Sequence, residues 1–462
     1  MRCATAISSM NSDTICALAT APGGALGIIR ISGAQALEIL SRIFTKDLTT
    51  AQANTIHYGR IVECVAIPSP QIIDEVLVSV FRAPHSYTGE DSAEVSCHGS
   101  RYILNKVLEL LVKNGCRIAN PGEYTMRAYL NGKLDLSQAE AVADLIASSN
   151  QATHQMAMSQ LRGGISSKLS QLREQLLKLT SLLELELDFS DHEDLEFADR
   201  TELSNLANKI DNHITHLAHS FETGQAIKQG IPVAIVGKTN VGKSTLLNRL
   251  LKDDRAIVSD IHGTTRDTIE DTINIQGITF RFIDTAGIRQ TTNEIEKIGI
   301  SRTISAIQKS RIVLWVIDQE PTNEEINNIV QQTENKSVIV VCNKSDLNEY
   351  HHFTIVNFPL ITISAKHNTN IGDLESAIYK AANIPTLTDT DVIVTNARHY
   401  DALIRAKEHL QRVIEGLNQQ LSGDLLSEDL RLTLDTLSEI TGGQITTNEV
   451  LGNIFKNFCV GK

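Results

Sequence analysis

The chain has 462 residues, 42 of them Lys or Arg and 55 Asp or Glu, for a formal net charge of -13 at pH 7. At roughly 150 residues per domain this length predicts about three domains, and a composition of 42% hydrophobic and 21% charged residues excludes disorder as the main state. The acidic balance argues against a protein that grips bare nucleic acid by charge alone, because such binding needs clustered Lys and Arg against phosphates.

No uninterrupted apolar run approaches the roughly 20 residues of a membrane-spanning helix. The opening MRCATAISSMNSDTICALATAPGG superficially looks like an export signal, but its single Arg, broken apolar stretch and Asp13 fit export poorly. Cys3, Cys16, Cys64, Cys97, Cys116, Cys342 and Cys459 are odd in number and scattered, with no Cys-x-x-Cys pair. They read as reduced thiols of a cytoplasmic protein, with neither a disulfide framework nor a zinc site.

From 1 to about 120, short β-branched runs such as GIIRIS (27–32) and EVLVSVF (75–81) alternate with helix-like stretches such as RYILNKVLELLVKNG, which predicts a small α+β domain. From 121 to 224 the pattern is helical. Leu169, Leu172, Leu176, Leu179 and Leu183 form one apolar stripe at spacings of three and four, and Leu203, Leu206, Ile210, Ile214 and Leu217 form a second. The acidic stretch DFSDHEDLEFAD between them reads as a solvated turn. From 225 to 380, VAIV (233–236), ITFRFIDT, RIVLWVID and SVIVVCNKSD alternate with helical segments, which predicts a mainly parallel sheet flanked by helices. After Pro385 the chain is helical again to 462, so an α/β unit is inserted into a helical domain.

GKTNVGKS (237–244) follows a strand and precedes the helix STLLNRLL. In this context Gly-x4-Gly-Lys-Ser is a phosphate loop: the glycines admit backbone amides to phosphate, Lys243 reaches the β and γ phosphates, and the Ser244 hydroxyl is a Mg²⁺ ligand. The glycines of APGGALG (21–27) lack that context and read as a plain turn. DTAG (284–287) follows FRFI; its aspartate suits the Mg²⁺ shell and its glycine amide the γ-phosphate. NKSD (343–346) ends another strand, where Asp346 can accept both the ring N–H and the exocyclic amine of guanine, a donor pair adenine lacks, while Asn343 and Lys344 brace the loop and base. SAK (364–366) completes the base pocket.

The order GKTNVGKS, GTTRD (263–267), DTAG, NKSD, SAK resembles the translation-factor-related branch of P-loop GTPases, which puts Thr265 at a second Mg²⁺-ligating hydroxyl. Where relatives orient the attacking water with a glutamine after DTAG, this chain has Ile288. An aliphatic side chain cannot do that, so hydrolysis needs another polar group or a partner; Glu294 and Glu296 in TTNEIEKIGI are candidates, a solvated helix face being the alternative. Asn240 raises the possibility of a monovalent cation held near the phosphates, which predicts K⁺ dependence.

SYTGEDSAEVSCHGS (86–100), PGEYTMRAYLNGKLDLSQAEAVADLI (121–146) and the terminal FCVGK (458–462), together with the inserted GTPase unit, closely resemble the MnmE (TrmE) family of tRNA modification GTPases over essentially the whole chain. The resemblance implies a homodimer whose N-terminal domain, 1–120, dimerises and binds folate, 5-formyltetrahydrofolate or a related tetrahydrofolate. It implies an FAD-containing partner, MnmG (GidA), in a heterotetramer or larger complex. The reaction it implies is addition of an aminomethyl or carboxymethylaminomethyl group at carbon 5 of the tRNA wobble uridine, using a tetrahydrofolate one-carbon unit. It places GTP contacts at Asn240, Val241, Gly242, Lys243, Ser244 and Thr245, at Ser259, Asp260, Ile261, His262, Gly263, Thr264 and Thr265, at Asp284, Thr285, Ala286 and Gly287, and at Asn343, Lys344, Asp346, Ser364 and Ala365.

On the same basis Ser244 and Thr265 would ligate Mg²⁺, and Asn240, Ser259, Ile261 and Thr264 would ligate K⁺. Ser259 stands where relatives often have Thr, a small change if a backbone carbonyl is the ligand. The family's catalytic glutamate falls on Glu296, and its folate positions fall on Arg30, Glu94, Lys133 and Lys462. The chemistry is compatible, since a pterin presents a guanine-like edge to a carboxylate and cations suit a glutamate tail. Cys459 is either a thiol nucleophile toward carbon 6 of uridine or a small apolar residue near the chain end. Val460 and Ser100 depart mildly from the family pattern and touch no residue assigned to chemistry.

The alternative class is a GTP-regulated ribosome-assembly or scaffold protein without modification chemistry, which a KH-type Gly-x-x-Gly loop beside the GTPase would favour. Residues 121–224 carry 8 basic and 16 acidic side chains and 381–462 carry 7 and 11, so the helical stretches hold the acidity. tRNA phosphates are therefore not expected along those helices, and the partner is expected to supply much of the phosphate-binding surface.

Overall fold

The computed structural model describes residues 13–63, 71–188, 200–253, 271–283, 304–347, 358–384 and 392–443, together with Leu451, Ile454, Phe455, Phe458 and Gly461. These fall into two compact units, one holding residues 1–147, 157–214 and 401–462 and the other 148–156 and 215–400.

The first unit is built on a six-stranded sheet of β1 (Ile15–Leu18), β2 (Leu26–Ser32), β3 (Thr55–Val62), β4 (Ile72–Phe81), β5 (Ser92–His98) and β6 (Arg117–Ile118), in the order β3-β4-β5-β2-β1-β6. Its pairings are antiparallel except β1 with β6. Period-two alternation sorts each strand. In β2, Ile29 and Ile31 are buried while Leu26 and Arg30 are not, and in β4 Val76, Val78 and Val80 are buried while Glu75 and Leu77 are exposed. The buried side packs with helices α1 (Ala36–Ser41) and α2 (Arg101–Lys113), whose Leu104, Val107, Leu110 and Leu111 recur at helical spacing.

The same unit contains α3 (Glu123–Leu130), α4 (Leu136–Ala147) and the 25-residue α6 (Gly164–Asp188), which follows α5 (Gln151–Leu161). All five leucines of the first predicted stripe are buried on α6. On α7 (Arg200–Gln229) the second stripe departs at one position: Leu206 is only half-buried, and the small Ala207 takes the buried place. The acidic stretch expected as a turn lies, from 189 to 199, outside the described residues.

The second unit carries β7 (Ile231–Val236), α8 (Lys243–Asp253), β8 (Asp271–Ile275), β9 (Ile278–Phe282), β10 (Ile312–Ile317), α9 (Asn323–Gln332), β11 (Ser337–Cys342), β12 (Leu360–Thr362) and α10 (Ile371–Ala381). The sheet order is β12-β11-β10-β7-β9-β8, all parallel except the β8–β9 hairpin. The central strand β10 is buried along its whole length, as expected for a parallel strand covered on both faces. The unit extends from Thr215 to Tyr400 because the end of α7 belongs to it: the Phe221 and Tyr400 rings stack at 4.5 Å, and Gln225 Nε2 donates to the Thr395 carbonyl at 2.7 Å. Two further helices, α11 (Ala397–Asn418) and α12 (Gly423–Thr441), follow. No helix among the described residues is long and apolar enough to cross a membrane.

Candidate functional site

β7 delivers the chain into the loop 237–242, and α8 starts at Lys243, so the first amides of that helix open onto the loop. Gly242 has φ 95°, and a Cβ there would lie 2.2 Å from Asn343 Nδ2; only glycine satisfies both the conformation and the approach. Lys243 Nζ donates to the Gly237 carbonyl at 2.7 Å and the Lys238 carbonyl at 2.5 Å. Burial holds this ammonium below the ordinary lysine value, so an approaching phosphate meets a cation that gains by being paired. Ser244 is half-buried at the second position of the helix, while Asn240 and Thr245 are exposed and Val241 is buried.

The base-reading segments meet at Asn343. Its side chain is buried, donates from Nδ2 to the Val241 carbonyl at 2.8 Å, and accepts the Ala365 amide on Oδ1 at 3.0 Å. One side chain thus ties together the phosphate loop, NKSD and SAK. Lys344 has φ 65° and pairs through Nζ with Asp318 at 2.7 Å. The Ser364 hydroxyl donates to Asp346 Oδ1 at 2.6 Å. That bond first, with help from the nearby His367 and Lys366, holds the Asp346 carboxyl below its ordinary range, so it is an ionised acceptor for paired N–H donors at neutral pH.

The remaining nucleotide residues read from the sequence lie outside the described residues: Ser259, Asp260, Ile261, His262, Gly263, Thr264, Thr265, Asp284, Thr285, Ala286 and Gly287, with Ile288, Glu294 and Glu296. Of the cation ligands, Ser244 and Asn240 are described. A serine hydroxyl beside a buried lysine at a helix start suits Mg²⁺, a hard cation that takes few protein oxygens and keeps phosphate and water as its other ligands. Among the described residues no group of three or more His, Cys, Asp or Glu is arranged to hold a metal.

A second constellation lies on the first unit. Arg30 on β2 is directly opposite Glu94 on β5. Arg30 Nε and Nη2 both reach Glu94 Oε1, at 2.9 and 2.8 Å, and Nη1 donates to the Gly461 carbonyl at 3.0 Å. The guanidinium carbon is 5.8 Å from the Tyr87 ring centre and 5.6 Å from that of Tyr124, whose hydroxyl donates to the Arg30 carbonyl at 2.8 Å. Lys133 Nζ donates at 3.1 Å to the carbonyl of Pro84, in the β4–β5 connection that carries Tyr87.

Cys459 and Lys462 lie outside the described residues, but Gly461 between them is described. Its φ is 92° and a Cβ there would lie 2.4 Å from the Leu18 carbonyl. The chain end therefore reaches the Arg30–Glu94 pair. Tyr87, Tyr124 and the Gly461 carbonyl are not among the residues read from the sequence; the tyrosines stand inside the quoted motifs SYTGED and PGEYTMR, and that is their only signal.

α3, whose Tyr124 bonds the Arg30 carbonyl, is locked by a buried ion cluster. Arg127, 1% exposed, bonds Asp13 Oδ1 at 2.7 Å, Glu123 Oε1 at 3.0 Å and Glu90 Oε1 at 3.2 Å. Arg117 meets Glu123 from the other side at 2.5 Å.

The family model described as the GTP-binding protein TrmE N-terminus matches residues 14–133, and that of the MnmE helical domain matches 136–459. The tRNA modification GTPase MnmE of Phocaeicola vulgatus is 54% identical over 98% of this chain and 99% of its own. Those of Bacteroides thetaiotaomicron and Flavobacterium johnsoniae are 55% and 49% identical, each over 98% of this chain and 100% of their own. The chain belongs to the MnmE family of tRNA modification GTPases.

Proposed function

We propose that this protein is a K⁺-dependent GTPase that, with an FAD-containing MnmG-type partner, installs an aminomethyl or carboxymethylaminomethyl group at carbon 5 of the tRNA wobble uridine. The observation that carries the nucleotide half is Asn343, which ties Val241 to Ala365 and so fixes phosphate and base recognition in one frame. GTP binds with its guanine on Asp346 and its β and γ phosphates against Lys243 and the amides of 240–245. Ser244 and Thr265 would hold Mg²⁺, and Asn240 with Ser259, Ile261 and Thr264 would hold K⁺; when bound, these cations supply positive charge against the phosphoryl oxygens. Glu296 supplies the polar group that orients the attacking water, which Ile288 cannot.

The one-carbon donor, 5-formyltetrahydrofolate or a related tetrahydrofolate, binds at Arg30, Glu94, Lys133 and Lys462. Support comes from the Arg30–Glu94 pair and the return of the chain end to it. A homodimer through residues 1–120 is supported by the exposed face of the sheet. There Tyr58 and Leu77 are register partners and Ile56 lies two residues along, with 56%, 47% and 68% of their surface exposed, a patch that marks an interaction surface. In this reading 225–380 hydrolyses GTP, while 121–224 with 381–462 transmits the rearrangement that hydrolysis drives in a cytoplasmic complex.

The test is mass spectrometry of wobble nucleosides from tRNA of cells lacking the protein. Loss of carboxymethylaminomethyl-type nucleosides, restored by the wild-type gene, is expected. Their persistence would refute the modification role and favour a ribosome-assembly or scaffold function.

A further inference from the structure

We infer that Arg249, outside every nucleotide-binding motif, is a specificity-determining positioning residue that couples the phosphate-loop helix to guanine recognition. It stands on α8, six residues beyond Lys243. Its Nε donates to the Ala365 carbonyl at 3.3 Å and its Nη2 to the Lys366 carbonyl at 3.2 Å. The Ala365 peptide is therefore held on both sides, its amide by Asn343 at 3.0 Å and its carbonyl by Arg249.

The next residue back completes the chain of contacts. Ser364 is 1% exposed, exchanges backbone hydrogen bonds with Thr369 at 3.2 and 3.1 Å, and donates its hydroxyl to Asp346 Oδ1 at 2.6 Å. Arg249 thus acts on the base through Ala365, Ser364 and Asp346, with no contact of its own to guanine. Because a guanidinium is permanently charged and planar, it makes two charge-assisted bonds to adjacent carbonyls that a neutral side chain cannot. α8 becomes a beam with Lys243 at the phosphate end and Arg249 at the base end. When the tie is cut, the loop carrying Ser364 loses its only bonds from α8 among the described residues, and Asp346 loses part of its fixed aim at the two donors of guanine.

The inference rests on the guanine reading of Asp346. The experiment uses the full chain and compares wild type with Arg249→Met, which keeps the apolar stem and removes the donors, and with Arg249→Lys. Release of a fluorescent GDP and affinities for GDP and IDP are measured; the hypoxanthine of IDP lacks the exocyclic amine. For Arg249→Met, GDP release about 5- to 10-fold faster is expected from the loss of charge-assisted hydrogen bonds. The GDP-over-IDP preference is expected to shrink at the same time, with Arg249→Lys recovering part of both. An equal loss of GDP and IDP affinity, or no change in either, would overturn the inference by making Arg249 a structural contact only. If Arg249→Met does not fold, the same ratio in Arg249→Lys decides, an unchanged preference overturning it. A wild-type protein that does not prefer GDP to IDP would instead overturn the guanine reading.

Discussion

Asn343 joins the end of β11 to the phosphate loop by donating Nδ2 to the Val241 carbonyl at 2.8 Å. Its other face accepts the Ala365 amide, so Asn343→Ala leaves a buried carbonyl and a buried amide unpaired. Each orphaned group costs about 1–3 kcal/mol. We expect GTP affinity to fall at least about tenfold in a titration of the purified variant. Asn343→Asp should not rescue it, because a carboxylate cannot donate to Val241.

Gly242→Ala tests the same junction from the other side. The new methyl would fall 2.2 Å from Asn343 Nδ2 at a backbone φ of 95°. The asparagine end cannot swing away without giving up both Val241 and Ala365. Nucleotide binding is expected to be lost, while any binding at the proposed tetrahydrofolate site, measured by calorimetry, stays within about twofold of wild type, because Arg30 and Gly242 lie in separate compact units. Parallel loss of both activities would show that the substitution acts through global unfolding.

How much of this was legible beforehand depends on the kind of contact. GKTNVGKS, NKSD and SAK announce themselves because phosphate and guanine recognition require fixed residue types at strand ends; Gly242 lies against Asn343, and Ser364 bonds Asp346. The stripe from Leu169 to Leu183 was equally plain, since helical periodicity is a local property. Tyr87, Tyr124 and the Gly461 carbonyl were not, because their proximity to Arg30 is set by long-range return of the chain, which no local pattern encodes. Arg249 looked like any polar residue on a helix. The β8 strand did leave a signal, alternating buried Ile273 and Ile275 before a Gln276-Gly277 turn with both φ positive, which a strand reading beginning at Ile278 passes over.

GTP hydrolysis should depend on the monovalent cation. If Asn240 takes part in holding K⁺, steady-state hydrolysis in KCl exceeds that in NaCl at equal ionic strength, and Asn240→Ala removes the difference while hydrolysis in NaCl is little affected. Glu296→Ala should lower the rate by about 10²- to 10⁴-fold, the usual contribution of general acid–base assistance, with GTP binding retained. Equal rates in both salts would eliminate the cation, and an active Glu296→Ala would eliminate the assigned catalyst.

The ion cluster around Arg127 predicts the acid sensitivity of the first unit. Burial pushes the Glu123 carboxyl up, but hydrogen bonds from Arg117, the Asn120 amide and Arg127 outweigh it and hold the group below its ordinary 4.5. Asp13 is likewise held below 3.8 by Arg117 and Arg127 against its own desolvation. A carboxyl depressed in the folded state contributes stability that is present above the unfolded value and lost as pH falls through the folded one. Wild-type stability should therefore decline as pH drops below about 4.5, read by hydrogen exchange on the sheet amides, which separates this unit from the other. Arg127→Met removes the cation and leaves Glu123 and Glu90 under-compensated, at a cost of about 3–5 kcal/mol near neutral pH. With that cation gone, the burial of Glu123 is offset by fewer hydrogen bonds, its carboxyl is held down less, and the variant should lose less stability than wild type as pH falls below about 4.5. A variant that follows the wild-type pH profile would show that Arg127 does not set the ionisation of these groups.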